Sequence, residues 1–101
     1  MLAGRIAQLS TSVPQLAAAV PDGVEAELRR LHYEVANSAN RPAMAALLSL
    51  VPATQVMFGS DFPLVPIEAT QAKLPSVGLS SSDLAAISRG TATRLFPRFA
   101  A

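Results

Sequence analysis

Few side chains in this chain could do chemistry. It has one histidine, His32, and no cysteine, against seven acidic and eight basic residues. A zinc-type centre draws three or four ligands from such residues, so a lone histidine is not a metal site, and His32 reads as part of a strand wall. The lack of cysteine removes disulfide scaffolds and thiolate ligands. Ser80, Ser81 and Ser82 make a hydroxyl cluster with no base beside it in sequence, and they read as a helix cap. Carboxylates remain as candidates for acid–base work. Asp61 has the most distinctive surroundings, Phe58-Gly59-Ser60-Asp61-Phe62-Pro63. It falls two residues past a glycine, where a strand would hand over to a loop, and on residue type alone it is a turn aspartate capping that loop. Gly59 is expected to let the backbone turn tightly, and Pro63 to fix the loop. Glu34 reads as a solvated or hydrogen-bonded strand residue. Asn37, Ser38 and Asn40 form a polar loop that could touch a substrate or cap the following helix.

The elements that must position these groups follow from periodicity. Leu2, Ile6 and Leu9 share one helical face, and Ser10 to Pro14 reads as a break. Residues 15–20 give one more turn before Pro21. Asp22 is expected as the N-cap of a helix over about 23–30, with Glu25 completing a capping box. Glu25 and Arg29 form a favourable i,i+4 pair. Residues 31–36 alternate like a strand. Asn40 caps the next helix, whose stripe is Met44, Leu47, Leu48 and Val51. Residues 54–58 form a second short strand. Pro66 opens a helix to about Leu74. Ser80 caps another, with Asp83 at its third position and Leu79 and Leu84 as a hydrophobic staple. Gly90 is either the residue that ends that helix or a packing glycine, and 91–96 is helical again.

Composition narrows the classes. Of 101 residues, 50% are hydrophobic and 15% charged, with a net charge of +1, whereas soluble domains average about 25% charged. Disorder is excluded by the apolar content. Basic and acidic residues nearly cancel, which argues against nucleic acid as a partner. Arg5 interrupts the first apolar run, so no secretory signal is expected. No stretch reaches the roughly 18 apolar residues of a membrane helix. A cytoplasmic protein with no membrane partner is the expectation, and the length suits one domain.

Strands alternating with helices imply an α/β chain with parallel pairing and a right-handed crossover. Two parallel strands do not make a finished domain, because such sheets are normally wide and covered on both faces. At the Phe58–Pro63 segment the sequence resembles the closing part of the amidohydrolase-related family, in particular members like aminocarboxymuconate semialdehyde decarboxylase, whose last barrel strand ends in a pattern like F-G-S-D-[FY]-P. LHYEVANSAN resembles the penultimate strand and its loop, written like F-Y-Y-D-T-A. ALLSLVPATQVMFGSDFP resembles the intervening helix and last strand, and LSSSDLAAISRGTATRLFP the terminal helix near a G-N-A-x-x-L-F motif. The likeness covers about residues 22–99.

The resemblance implies a fold: the C-terminal two βα units, with terminal helices, of a (β/α)8 TIM-type barrel, an incomplete barrel over residues 1–101. It implies a metal-dependent hydrolase or decarboxylase (a lyase) acting on a small-molecule substrate. It also implies a divalent metal, zinc by preference, in full-length members. Asp61 takes the position of a metal ligand or of the base that activates water, since a carboxylate beside a divalent cation can serve either role. The chain departs from the family pattern elsewhere. It has no H-x-H pair, Glu34 and Val35 replace the pattern's aspartate and threonine, and Gly90-Thr91-Ala92 replaces G-N-A. The isolated chain is therefore expected to bind no metal and to be inactive. A reading of another class is a small non-enzymatic interaction module that uses its apolar helix faces and open strand edges.

If the missing charge reflects surface shaped for other βα units, the purified chain self-associates or binds a hydrophobic dye. Light scattering and dye fluorescence check this, and a monodisperse monomer that melts cooperatively counts against it.

Overall fold

Prolines and polar caps cut the chain into short helices. The structure, a computed structural model, describes residues 2–100, and the chain divides into two units, Met1–Leu31 and His32–Ala101.

The first unit is helical. Helix α1 (Leu2–Ser12) runs further than the spacing predicts. The hydroxyls of Ser10, Thr11 and Ser12 donate back to the carbonyls three residues earlier, at 2.7, 2.7 and 3.2 Å. That local bonding lets polar residues extend the last turn before Val13 breaks it. Pro14 opens α2 (Pro14–Ala19) in its first turn, where its missing N–H costs nothing. Helix α3 (Val24–Leu28) departs from expectation at its start. Gly23, at φ 90°, is the capping residue, and no side chain caps the helix. The Asp22 carboxylate accepts from Arg30 Nη2 at 3.0 Å instead. Arg30 also pairs with Glu27. Hydrogen bonds that it donates to Asp22 first, then to Glu27, raise the Arg30 guanidinium above its already high ordinary value. The expected Arg29–Glu25 pair forms at 2.7 Å. These pairs are exposed, and exposed ion pairs contribute little to stability.

The second unit carries the sheet. Strand β1 (Tyr33–Glu34) pairs in parallel with β2 (Val56–Met57), in the register Tyr33 with Val56 and Glu34 with Met57. Both strands are shorter than the alternation predicts. Beyond β1, the Ala36 N–H is taken by Glu34 Oε2 at 2.6 Å. Ahead of β2, a 3₁₀ turn over Ala53–Gln55 diverts the backbone, with Gln55 N–H donating to the Pro52 carbonyl at 2.9 Å. The connecting helix α4 (Arg41–Leu50) is capped as predicted, Asn40 Oδ1 accepting from the Ala43 N–H at 3.0 Å. Helix α5 (Ile67–Lys73) follows β2. Helix α6 (Ser81–Ala85) starts at the Ser80 cap, whose Oγ accepts from the Asp83 N–H at 3.1 Å. Gly90 ends nothing: it has φ −58° and ψ −44°. A wide π-helical turn over Ala86–Gly90 instead carries the chain directly into α7 (Thr91–Leu95).

Helices cover one face of the sheet. Side chains alternate along a strand, so Val35 and Val56, both fully buried, lie on that face. They pack with Met44, Val51, Leu74 and Ile87. The opposite face carries Glu34, exposed, and Met57, half-buried. The two-stranded parallel sheet and flanking helices are those of βα units. Among the described residues no helix is long and apolar enough to cross a membrane.

One buried polar contact ties α7 to the turn that feeds β2. Thr91 is fully buried, and its Oγ1 donates to the Ala53 carbonyl at 3.2 Å. Arg94 reaches the neighbouring Thr54 carbonyl from the same helix. Replacing Thr91 with Val keeps the shape and removes this bond, while the Ala53 carbonyl keeps the Val56 N–H, so the expected cost is that of one hydrogen bond, about 0.5–1.5 kcal/mol. Urea unfolding of Thr91→Val against wild type measures it.

Candidate active site

The two strands deliver their polar loops to the same end of the sheet. After β1 the chain passes Val35 and Ala36 into a turn closed by the Ser38 N–H on the Val35 carbonyl, 2.9 Å. Asn37 sits in that turn at φ 54°. After β2 it passes Phe58, Gly59 and Ser60 to Asp61, at φ 65°. The Asp61 carbonyl accepts from the N–H groups of Leu64 and Val65 at 2.9 and 3.2 Å. Ser60 Oγ accepts from the Phe62 N–H at 3.3 Å. The Phe62–Pro63 peptide is cis. Asn and Asp are the non-glycine residues that best tolerate the left-handed region, so each loop has a suitable residue at its reversal point.

The loops meet through a side-chain bond. Asn37 Nδ2 donates to Asp61 Oδ2 at 3.0 Å. Both residues are exposed. Glu34 lies on the same sheet face as Met57, and its carboxylate folds back to cap the Ala36 N–H. Gly59 accommodates it. A Cβ built on Gly59 would fall 1.8 Å from Glu34 Oε2. Gly59 is therefore not needed for the tight turn expected from the sequence; the positive φ is borne by Asp61, and the glycine leaves room for the Glu34 carboxylate in its bonded position.

The other candidates separate from this end. His32 is exposed and precedes β1, on the side away from Asn37. Ser80 caps α6, and its Oγ lies 3.1 Å from Ser82 Oγ, which leaves the trio a capping role. Asn40 is spent on the α4 cap. A groove of about 340 Å³ is lined by Phe58, Ile67, Gln71, Leu74, Leu84 and Ser88. It belongs to the helix-covered side, and none of Glu34, Asn37 and Asp61 lines it.

This end of the sheet offers an oriented carboxylate, Asp61, a second carboxylate already engaged with backbone, Glu34, and a neutral amide. Among the described residues no group of three or more His, Cys, Asp or Glu side chains could hold a metal ion. The residues present do not make up a complete metal centre. The Asn37–Asp61 pair was not foreseeable from the sequence. The available signal was that two αL-tolerant residues each stand just past a strand.

A family model described as Amidohydrolase matches residues 6–98. The chain belongs to the amidohydrolase family. The match takes in both strands, Asn37 and Asp61. The family is of hydrolase type and generally metal-dependent. Comparison with curated proteins and with solved structures gave no match.

Gly59→Ala drives a methyl into the Glu34 carboxylate, so the bond to the Ala36 N–H is expected to break. The Ala36 amide resonance reads this directly. Adding Glu34→Ala removes the collision, so the double variant should unfold at higher denaturant than Gly59→Ala alone.

Proposed function

We propose that the chain is the C-terminal two βα units, with terminal helices, of a metal-dependent amidohydrolase-type hydrolase or decarboxylase barrel resembling aminocarboxymuconate semialdehyde decarboxylase. The position of Asp61 carries the reading. It stands past the C-terminal end of a parallel strand, next to the loop from the neighbouring strand, and barrel enzymes keep their reacting groups at that end. In this reading Asp61 supplies a carboxylate oxygen either as a ligand to a divalent cation such as zinc or as a proton acceptor.

The sheet supports the same reading. One face is sealed by helices over Val35 and Val56. The other presents Glu34, Met57 and Gly59 where a barrel would place its interior. Parallel sheets are stable when both faces are covered, so further parallel strands are the natural complement of this face, and they would bring the remaining metal ligands. The chain by itself is then inactive, and its substrate is a small molecule bound mainly by loops of those strands.

Complementation tests this. The chain is co-expressed with the first six βα units of an amidohydrolase that carries H-x-H, and turnover is assayed on ester, amide and carboxylate substrates with added zinc. Activity should require both parts and metal, and Asp61→Asn should abolish it. Turnover by the chain alone, or an undiminished Asp61→Asn assembly, overturns the proposal. Failure to assemble, with the chain purifying as a defined oligomer of its own, would instead favour the interaction-module reading.

A further inference from the structure

We propose that Asn37 is a positioning residue for Asp61, holding one oxygen of that carboxylate so that the other faces the reaction. The inference rests on the reading of Asp61 as the functional carboxylate and adds a second residue to its site. The bond joins residues 24 positions apart, at the ends of two paired strands. Helix capping does not account for the Asn37 side chain, because Asn40 fills the cap of α4. Turn closure does not account for it either, because the Val35–Ser38 turn is closed by backbone alone.

The chemistry of the donor matters. An amide N–H satisfies Oδ2 without bringing a positive charge, so the carboxylate keeps its full charge. A lysine or arginine in this place would pair with the carboxylate and compete with a cation or an acidic proton for it. Donor and acceptor are each presented by a turn with its own backbone bonds, so the geometry is set before anything binds. That is the preorganisation that makes an oriented group effective, since misplacement of a reacting group by about 1 Å can cost about a hundredfold in rate.

The test uses the full chain and two variants. Asn37→Gly removes the amide while tolerating the positive φ. Asn37→Asp keeps shape and turn preference but puts an acceptor where the donor was. Side-chain scalar couplings of Asp61 report its χ1 populations by NMR, and the backbone amides of α4 report the fold. One dominant Asp61 rotamer is expected in wild type and rotamer averaging in both variants, with α4 unchanged. An Asp61 rotamer that stays fixed in the variants overturns the proposal, and Asn37→Asp decides it if Asn37→Gly does not fold. In the complemented barrel, Asn37→Gly should lower kcat with KM held; a change in KM alone counts against it. The NMR measurement needs no turnover. A failed complementation therefore bears on the catalytic reading of Asp61, and a fixed rotamer bears on Asn37.

Discussion

The parallel pairing of β1 with β2 is the contact on which the second unit depends. Its register puts Val56 on the helix-covered face with Val35, and both are fully buried there. The segments that follow the two strands close over that face with Met44, Val51, Leu74 and Ile87. The direction of pairing then decides where polar residues can gather. Strands running the same way send both of their exit loops to one end. An antiparallel pair would have put Asn37 and Asp61 at opposite ends of the sheet.

Much of this was legible in the sequence because it is local. Asn40 and Ser80 cap the helices expected of them, since a cap needs only a short polar side chain three residues before a free N–H. The stripe through Met44, Leu47, Leu48 and Val51 faces the core, since 3.6-residue periodicity reads directly from spacing. The segment around Asp61 carried the family likeness, and the family match agrees at the level of amidohydrolase.

What the sequence hid depends on distance across the fold. Asp22 satisfies the rule for an N-cap, yet an arginine eight residues on claims its carboxylate and Gly23 takes the cap. Gly59 reads as a turn glycine because turns are the commonest use of glycine; the opposing strand's Glu34 carboxylate is what occupies the space a side chain there would take. The strands shrink to two residues each because a side chain at one end and a 3₁₀ turn at the other take up backbone groups that periodicity assigns to the ladder. The bond between Asn37 and Asp61 required knowing which strand neighbours which.

The wide turn at Ala86–Gly90 bears on how freely this chain's length can drift. In an α-helix each residue advances the side-chain direction by about 100°, so a widened turn amounts to a change of angular phase between the segments on either side of it. It sets the bearing from which Thr91 points at the Ala53 carbonyl. The end of this chain therefore counts residues in a way its exposed loops do not. A deletion in the polar stretch before Ser80 shortens a connection, whereas one within 86–90 turns everything after it to a new heading. Thr91 would then swing away from the turn that feeds β2, and the last helix would come loose from it. An error of register near the C-terminus would in this way be felt at the strand that carries Asp61.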